Sequence, residues 1–304
     1  MGVRLAEGVF RVSGVLGVED PIGVWLRSVL SLLELKVVRR AYAESYKLLS
    51  SDVREALKGY LGDSYLSLDL LLCMYPYRNL QYGPKGKRNV KLRKRMKLAW
   101  IAHNMYAAQR LLDQWSQVEQ ELREQRLGED FIGFLQRYLQ TVIAELAVLY
   151  VYLYNGRAIM PLGFMQHVVT LGPSGPALGD FIDIETLTFI EVKSRRGKFY
   201  SDLLSLAINT RLPSAVAIPR YKVDNGKHSI DKSTIVVDIY TLAAAGENRW
   251  INRKYEYLKA PIEDELKPLM QNISVLEENA RDYLQELQRR VNKTKPGTSQ
   301  STTR

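Results

Sequence analysis

Asp180, Glu191 and Lys193 are the residues whose types and spacing could do chemistry. They stand in the segment GDFIDIETLTFIEVKS at residues 179–194. If Glu185-Thr186 is a two-residue turn, the segment folds into a hairpin. Ile184 then faces Leu187, Phe181 faces Ile190 and Asp180 faces Glu191. Side chains alternate along a strand, so Glu191 and Lys193 share a face, and residues directly opposite across a hairpin share it too. The two carboxylates and the ammonium therefore converge, while Asp183 points to the other side. A three-residue turn would shift the register, which makes Asp183 the second-choice acid. Facing carboxylates repel one another. A divalent cation removes that repulsion, and hard oxygen ligands suit Mg²⁺ or Mn²⁺. An adjacent ammonium can position a water or steady a developing negative charge, which completes a set of parts for phosphodiester hydrolysis. Acidic and basic residues also alternate on many exposed strands. Here the intervening Thr188, Phe189, Ile190 and Val192 read as a substantially buried strand, in which charges need partners.

Glu145 lies upstream in AELAVLYVYLYNGRAIMPLG, on a helix with apolar residues on several sides, including Val142, Leu146 and Leu149. A charge there is costly unless it serves a site. The competing reading is a helix-surface glutamate. Gly179-Asp180, followed by Phe189-Ile190-Glu191-Val192-Lys193-Ser194, resembles the D…(D/E)XK signature of the PD-(D/E)XK nuclease superfamily. The order of elements is similar to that family's core, and archaeal Holliday-junction resolvases and related nucleases also carry a glutamate in the leading helix. The resemblance spans about residues 130–240. It implies that Asp180 and Glu191 bind metal, that the Val192 carbonyl adds a ligand, that Lys193 assists the attacking water or the transition state, and that Glu145 supports the metal site. Gly179 stands where the family has proline, and the Asp180–Glu191 spacing is compact. A downstream QxxxY pattern and four cluster-forming cysteines are absent. The resemblance points to an endonuclease acting on DNA, with RNA not excluded.

The substrate would be held by cations. The chain of 304 residues carries a formal net charge of +10, which attracts polyanions through release of their condensed counterions. Lys85, Lys87, Arg88, Lys91, Arg93, Lys94, Arg95 and Lys97 place eight cations in thirteen residues. Such a cluster can follow a phosphate backbone without reading bases. Arg195, Arg196 and Lys198 directly follow the catalytic strand, with Gly197 allowing a close turn. A solvated basic face is the bland alternative for both groups. His103, His167 and His228 have no zinc-like spacing with Cys73, and His103 reads as structural. Gly172-Pro173-Ser174-Gly175 lacks the lysine of a phosphate-binding loop, so no nucleotide cofactor is expected. One cysteine, no signal-peptide pattern and no bilayer-length apolar run lead to the expectation of an intracellular, cytoplasmic protein without membrane contact.

The elements that must position these residues follow from periodicity. Residues 1–128 read as a mainly helical N-terminal region, with one long helix from about Asn89 to Arg126. Gly128 ends that helix or begins a break. A second helix runs over roughly Asp130–Tyr154 and is closed by Asn155-Gly156. Ala158–Leu171, Asp180–Ile184 and Leu187–Lys193 read as strands, Phe199–Thr210 as a helix, and Ala215–Ile218 and Thr234–Tyr240 as further strands. The fold class expected is α/β, a restriction-endonuclease-like mixed sheet flanked by helices, with the nuclease-like core over 129–245. A C-terminal helical segment is expected over 246–291. Its stripe of Leu266, Leu269, Ile273, Leu276, Ala280, Tyr283 and Leu287 suits either a homodimer seam or packing on its own domain. Residues 292–304 read as a disordered tail.

Overall fold

The computed structural model describes residues 35–61, 89–162, 179–193, 203, 206–208, 210–224, 232–244, 250–276, 285 and 289. Helices come first: α1 (Lys36–Leu48), α2 (Ser51–Leu61), α3 (Asn89–Asp113), α4 (Trp115–Glu124) and α5 (Glu129–Tyr154). The single helix expected over Asn89–Arg126 is thus two. The chain leaves helical geometry at Gln114, with φ −106° and ψ 27°. The bend brings α4 beside α1. There the Glu121 carboxylate accepts the Lys36 and Val37 N–H groups at 2.7 and 3.2 Å. Leu35 cannot cap α1 with its own side chain, so a carboxylate from another helix meets the positive end of the dipole.

Helix α4 closes in a Schellman motif. Leu127 N–H reaches the Leu122 carbonyl and Arg126 N–H reaches the Arg123 carbonyl. This puts Arg126 at φ 61°, a conformation usually given to glycine. Gly128, two residues later, is instead the N-cap position of α5. Helix α5 ends in a second Schellman motif, this time with glycine where the motif wants it, at Gly156 with φ 74°.

From Val142 to Tyr152, α5 is buried almost throughout. It packs against α3 on one side and the sheet on the other. The sheet contains β1 (Ile159–Pro161), β2 (Phe181–Asp183), β3 (Thr188–Val192), β4 (Ser214–Asp224), β5 (Lys232–Ala244) and β6 (Trp250–Pro261), hydrogen-bonded in that order. Only β3 and β4 are parallel. Residues 203, 206–208 and 210, between these two strands, are helical. Leu203 and Ala207 cover Val216, Ile218, Tyr240 and Leu242 on the sheet face opposite α5. Phe181, Ile190, Val192, Ala217 and Val237 face α5 and share one hydrophobic core with α1–α5. That core runs across the boundary expected at residue 128.

The C-terminal region differs from the helical segment expected over 246–291. It begins with β6, followed by a 3₁₀ turn at Asp264–Leu266 and a short helix α6 (Lys267–Met270). Leu266, Leu269, Ile273 and Leu276 of the apolar stripe are buried in the chain's own core. The rest of the stripe lies outside the described residues, as do the segment 1–34 and the tail over 292–304. Among the described residues, no helix is long and apolar enough to cross a membrane.

The strain at Arg126 has a measurable consequence. A side chain in the left-handed region costs roughly 1–2 kcal/mol, partly offset by the entropy that glycine loses on folding. Arg126→Gly is expected to raise the free energy of unfolding by about 0.5–1 kcal/mol in urea titration. An unchanged or lower midpoint would show that the arginine side chain compensates its backbone.

Candidate active site

The site is set by what happens just before β2. Gly179 has φ 81°, and a Cβ there would stand 2.9 Å from the Ile190 carbonyl oxygen. Only glycine tolerates both the dihedral and the contact. The next residue is pinned from three sides. Asp180 N–H donates to the Ile190 carbonyl at 2.8 Å, and its own carbonyl accepts the Leu162 N–H at 2.7 Å. Its Oδ2 accepts the Val192 N–H at 2.6 Å. A carboxylate thus takes the place of a ladder acceptor at the point where β2 has not yet begun. In an extended strand the N–H and C=O of one residue point to the same side. The Val192 carbonyl therefore opens on the side of the Asp180 carboxylate.

The register pairs Phe181 with Ile190 and Ile182 with Phe189, as expected. Asp180, before β2, donates its N–H to the Ile190 carbonyl and so stands one residue out of step with that ladder. The turn is longer than expected, however. Pairing stops at Asp183 and Thr188, and Ile184–Leu187 form the turn, with Leu187 at φ 51°. Asp183 Oδ1 accepts the N–H groups of Glu185 and Thr186 at 3.0 and 3.2 Å. This turn closes with the same parity as a two-residue one, so the faces are unchanged.

Lys193 Nζ stands 2.8 Å from Glu191 Oε1, and both side chains keep about a fifth of their surface exposed, 20% and 23%. Glu145 and Asp180 also keep some exposed surface as residues. Their carboxyl groups, though, are enclosed by protein. Burial, and then the Glu191 charge, push the Glu145 carboxyl from 4.5 up to about 8. Burial, Glu191 and Glu145, in that order, hold Asp180 well above the usual carboxylate range. The Val192 N–H and the Lys193 ammonium act against this without cancelling it. Glu145 is therefore a member of the acid cluster rather than a glutamate on a solvated helix face.

Asp183 has a different environment. It is buried on the opposite side of the strand, and its Oδ2 is held by Arg157 at 2.6 Å. Arg157 also approaches Glu256 at 3.5 Å. The second-choice acid is thus an anchor for the hairpin. Sequence reasoning missed Arg157, although its place just after the Asn155-Gly156 helix stop brings it close to the strand start.

The basic residues fare unevenly. Arg95 is ion-paired with Asp52 at 3.2 Å and with Glu265, which ties α3 to α2 and to the turn after β6. Lys94 Nζ donates to the Tyr154 carbonyl at 2.7 Å and lies 4.3 Å from the centre of that ring. Both cations have partners within the chain. Lys91 and Arg93 lie on the first turns of α3. Lys85, Lys87, Arg88, Arg195, Arg196 and Lys198 fall outside the described residues. His103 is buried, with Nδ1 2.6 Å from Ser45 Oγ.

Comparison with protein-family models, curated proteins and solved structures gives no match. The case for a metal at the site therefore rests on its donors. Among the described residues, no three His, Cys, Asp or Glu side chains already stand in a metal-ligating arrangement. The donor chemistry nevertheless suits a hard divalent cation: the Glu145 and Asp180 carboxyls are enclosed, the Glu191 charge helps to raise the proton affinity of both, and the Val192 carbonyl opens on the side of Asp180.

Two outcomes follow. Glu145 holds its proton more tightly folded than unfolded. Metal-free stability should therefore be greatest below about pH 4.5 and fall as pH rises to about 8, since the unfolded chain releases that proton first. Mn²⁺ should stabilise the protein more at the upper end of that window than at the lower, and Glu145→Gln should flatten the metal-free slope. Urea titrations at the two ends, with and without Mn²⁺, read both effects, and a rising metal-free curve would refute them. Separately, Gly179→Ala should destabilise by about 1–3 kcal/mol through backbone strain, with a lower thermal midpoint as the readout.

Proposed function

We propose that the chain is a Mg²⁺- or Mn²⁺-dependent deoxyribonuclease on a restriction-endonuclease-like fold, an endonuclease rather than an exonuclease. The observation that carries this reading is the Asp180 carboxylate held at 2.6 Å by the Val192 N–H, next in the chain to Glu191, with the Lys193 ammonium 2.8 Å from Glu191. DNA as partner is supported by the net charge of +10.

Asp180, Glu191 and the Val192 carbonyl would hold the cation. When bound, it supplies charge neutralisation at the phosphate and a lower pKa for the attacking water. Asp180 is already oriented by the Val192 N–H, so it presents its carboxylate with little reorganisation. Lys193 directs an ammonium at the pentavalent centre, where negative charge accumulates as the water oxygen bonds to phosphorus. The attacking water gives up a proton to solvent, the ester P–O bond breaks, and its oxygen leaves with a proton drawn from solvent. Glu145, protonated near neutral pH, supplies a group that can gain or lose a proton beside the acids.

The lack of a ready-made ligand triad among the described residues favours one second reading, a nucleic-acid-binding or assembly protein that keeps the fold without catalysis. Supercoiled plasmid incubated with Mg²⁺, Mn²⁺ or EDTA separates the two. Nicking is expected only with metal. It should fall by about a hundredfold or more in Glu191→Gln and Lys193→Ala, and Asp183→Asn should lower stability without abolishing turnover at permissive temperature. Nicking that persists in EDTA, or in both site variants, would overturn the reading.

A further inference from the structure

The sheet face that carries Glu191 does not end at the acid cluster. The register runs Glu191 opposite Val216, Val216 opposite Tyr240 and Tyr240 opposite Tyr255. These four residues form one cross-strand row on one face. The helical residues around 203–210 cover the middle of that face, over β4 and β5. Among the described residues, nothing covers this face of β6, the last strand of the sheet. Tyr255 is 46% exposed and Tyr257 is 58% exposed. Lys259, the next residue of the same parity, is exposed as well. Two aromatic rings and a cation therefore follow one another at every second residue of β6. Strand geometry spaces them roughly 7 Å apart.

This row has a built floor. Tyr255 donates its hydroxyl to Asp238 Oδ1 at 2.7 Å, and Arg220 Nε holds the other oxygen of that carboxylate at 2.8 Å. Asp238 is fully buried. The Tyr255 ring is thus fixed to the sheet rather than swinging in solvent, so stacking on it forfeits little side-chain freedom. A solvated antiparallel edge would ordinarily carry polar side chains here.

We propose that the Tyr255–Tyr257–Lys259 row of β6 binds single-stranded nucleic acid, with unpaired bases stacked on the tyrosine rings and a backbone phosphate at Lys259. Sequence-tolerant binding of single strands combines aromatic faces with cations in this way, and a duplex keeps its base faces hidden. The row deepens the nuclease reading and rests on it for the class of partner. It lies roughly 14 Å from Glu191 across three strand spacings, on the far side of the covering helix. It would therefore hold a strand next to the cutting site rather than in it.

The test uses the full chain in EDTA, so that cleavage plays no part. Fluorescence anisotropy compares a short labelled oligothymidine, the matching oligouridine and a blunt duplex of the same length. Tyr257→Ala is expected to weaken oligothymidine binding by about tenfold or more, the loss expected when a base loses its aromatic stack. Tyr257→Phe should restore it, duplex binding should change little, and Lys259→Ala should reduce the salt dependence of single-strand binding. Unaltered oligothymidine affinity in Tyr257→Ala would overturn the proposal. So would an equal loss for duplex, or a Tyr257-dependent dimer with no oligonucleotide affinity. Tyr257-dependent binding in a protein that shows no metal-dependent nicking would refute the nuclease reading and leave this one standing.

Discussion

Burying a helix on every side removes the usual polar face and demands neighbours all round. Helix α5 meets that demand from Val142 to Tyr152, and most other elements are placed by it. Helix α3 covers one side of it and the sheet the other. Helices α1 and α4 then close over α3, held by the Glu121 carboxylate at the start of α1. One half-buried glutamate interrupts this apolar run. Glu145 feels the Glu191 charge and Asp180 feels both, so the most deeply packed helix is coupled electrostatically to the strand hairpin.

The hairpin separates its two aspartates by parity. Asp183 lies toward the core, meets Arg157 and caps its own turn. Asp180 meets a backbone N–H and two more acids. Gly179 makes the difference possible. Its positive φ turns the chain away from β3, which leaves the Val192 N–H for a side-chain acceptor rather than a backbone one. A proline at that position would have φ fixed near −65° and could not make this turn. The glycine is therefore a structural solution at this residue.

The hairpin was legible in the sequence because parity is robust. Phe181 and Ile190 need the core, and that requirement alone sets the register, whatever the turn does between Asp183 and Thr188. The break at Gln114 was not legible, since no glycine or proline marks it and the apolar seam continues through Trp115. Strand β6 was hidden by its polarity. Arg253, Lys254, Tyr255, Glu256 and Tyr257 fit an edge strand with one face in solvent as well as they fit a surface helix. Arg95 looked like a phosphate contact because its acids, Asp52, Glu263 and Glu265, are far away in sequence. Ion pairs across that separation are a product of the fold and cannot be read from a local charge run.

The buried acids among the described residues fall into two kinds. Asp183 is matched by Arg157, and Asp238 by Arg220 together with the Tyr255 hydroxyl. In both, the cost of desolvating a carboxylate is offset by a guanidinium at hydrogen-bond distance. The hairpin cluster breaks this pattern. Among the described residues, the three carboxyl groups of Glu145, Asp180 and Glu191 have one ammonium among them, that of Lys193, already drawn to Glu191. This place is therefore short of positive charge among the described residues, and Glu145 and Asp180 hold their protons more tightly. The shortfall is electrostatic work stored in the native state, and a divalent cation is the ligand whose charge and oxygen preference would release it.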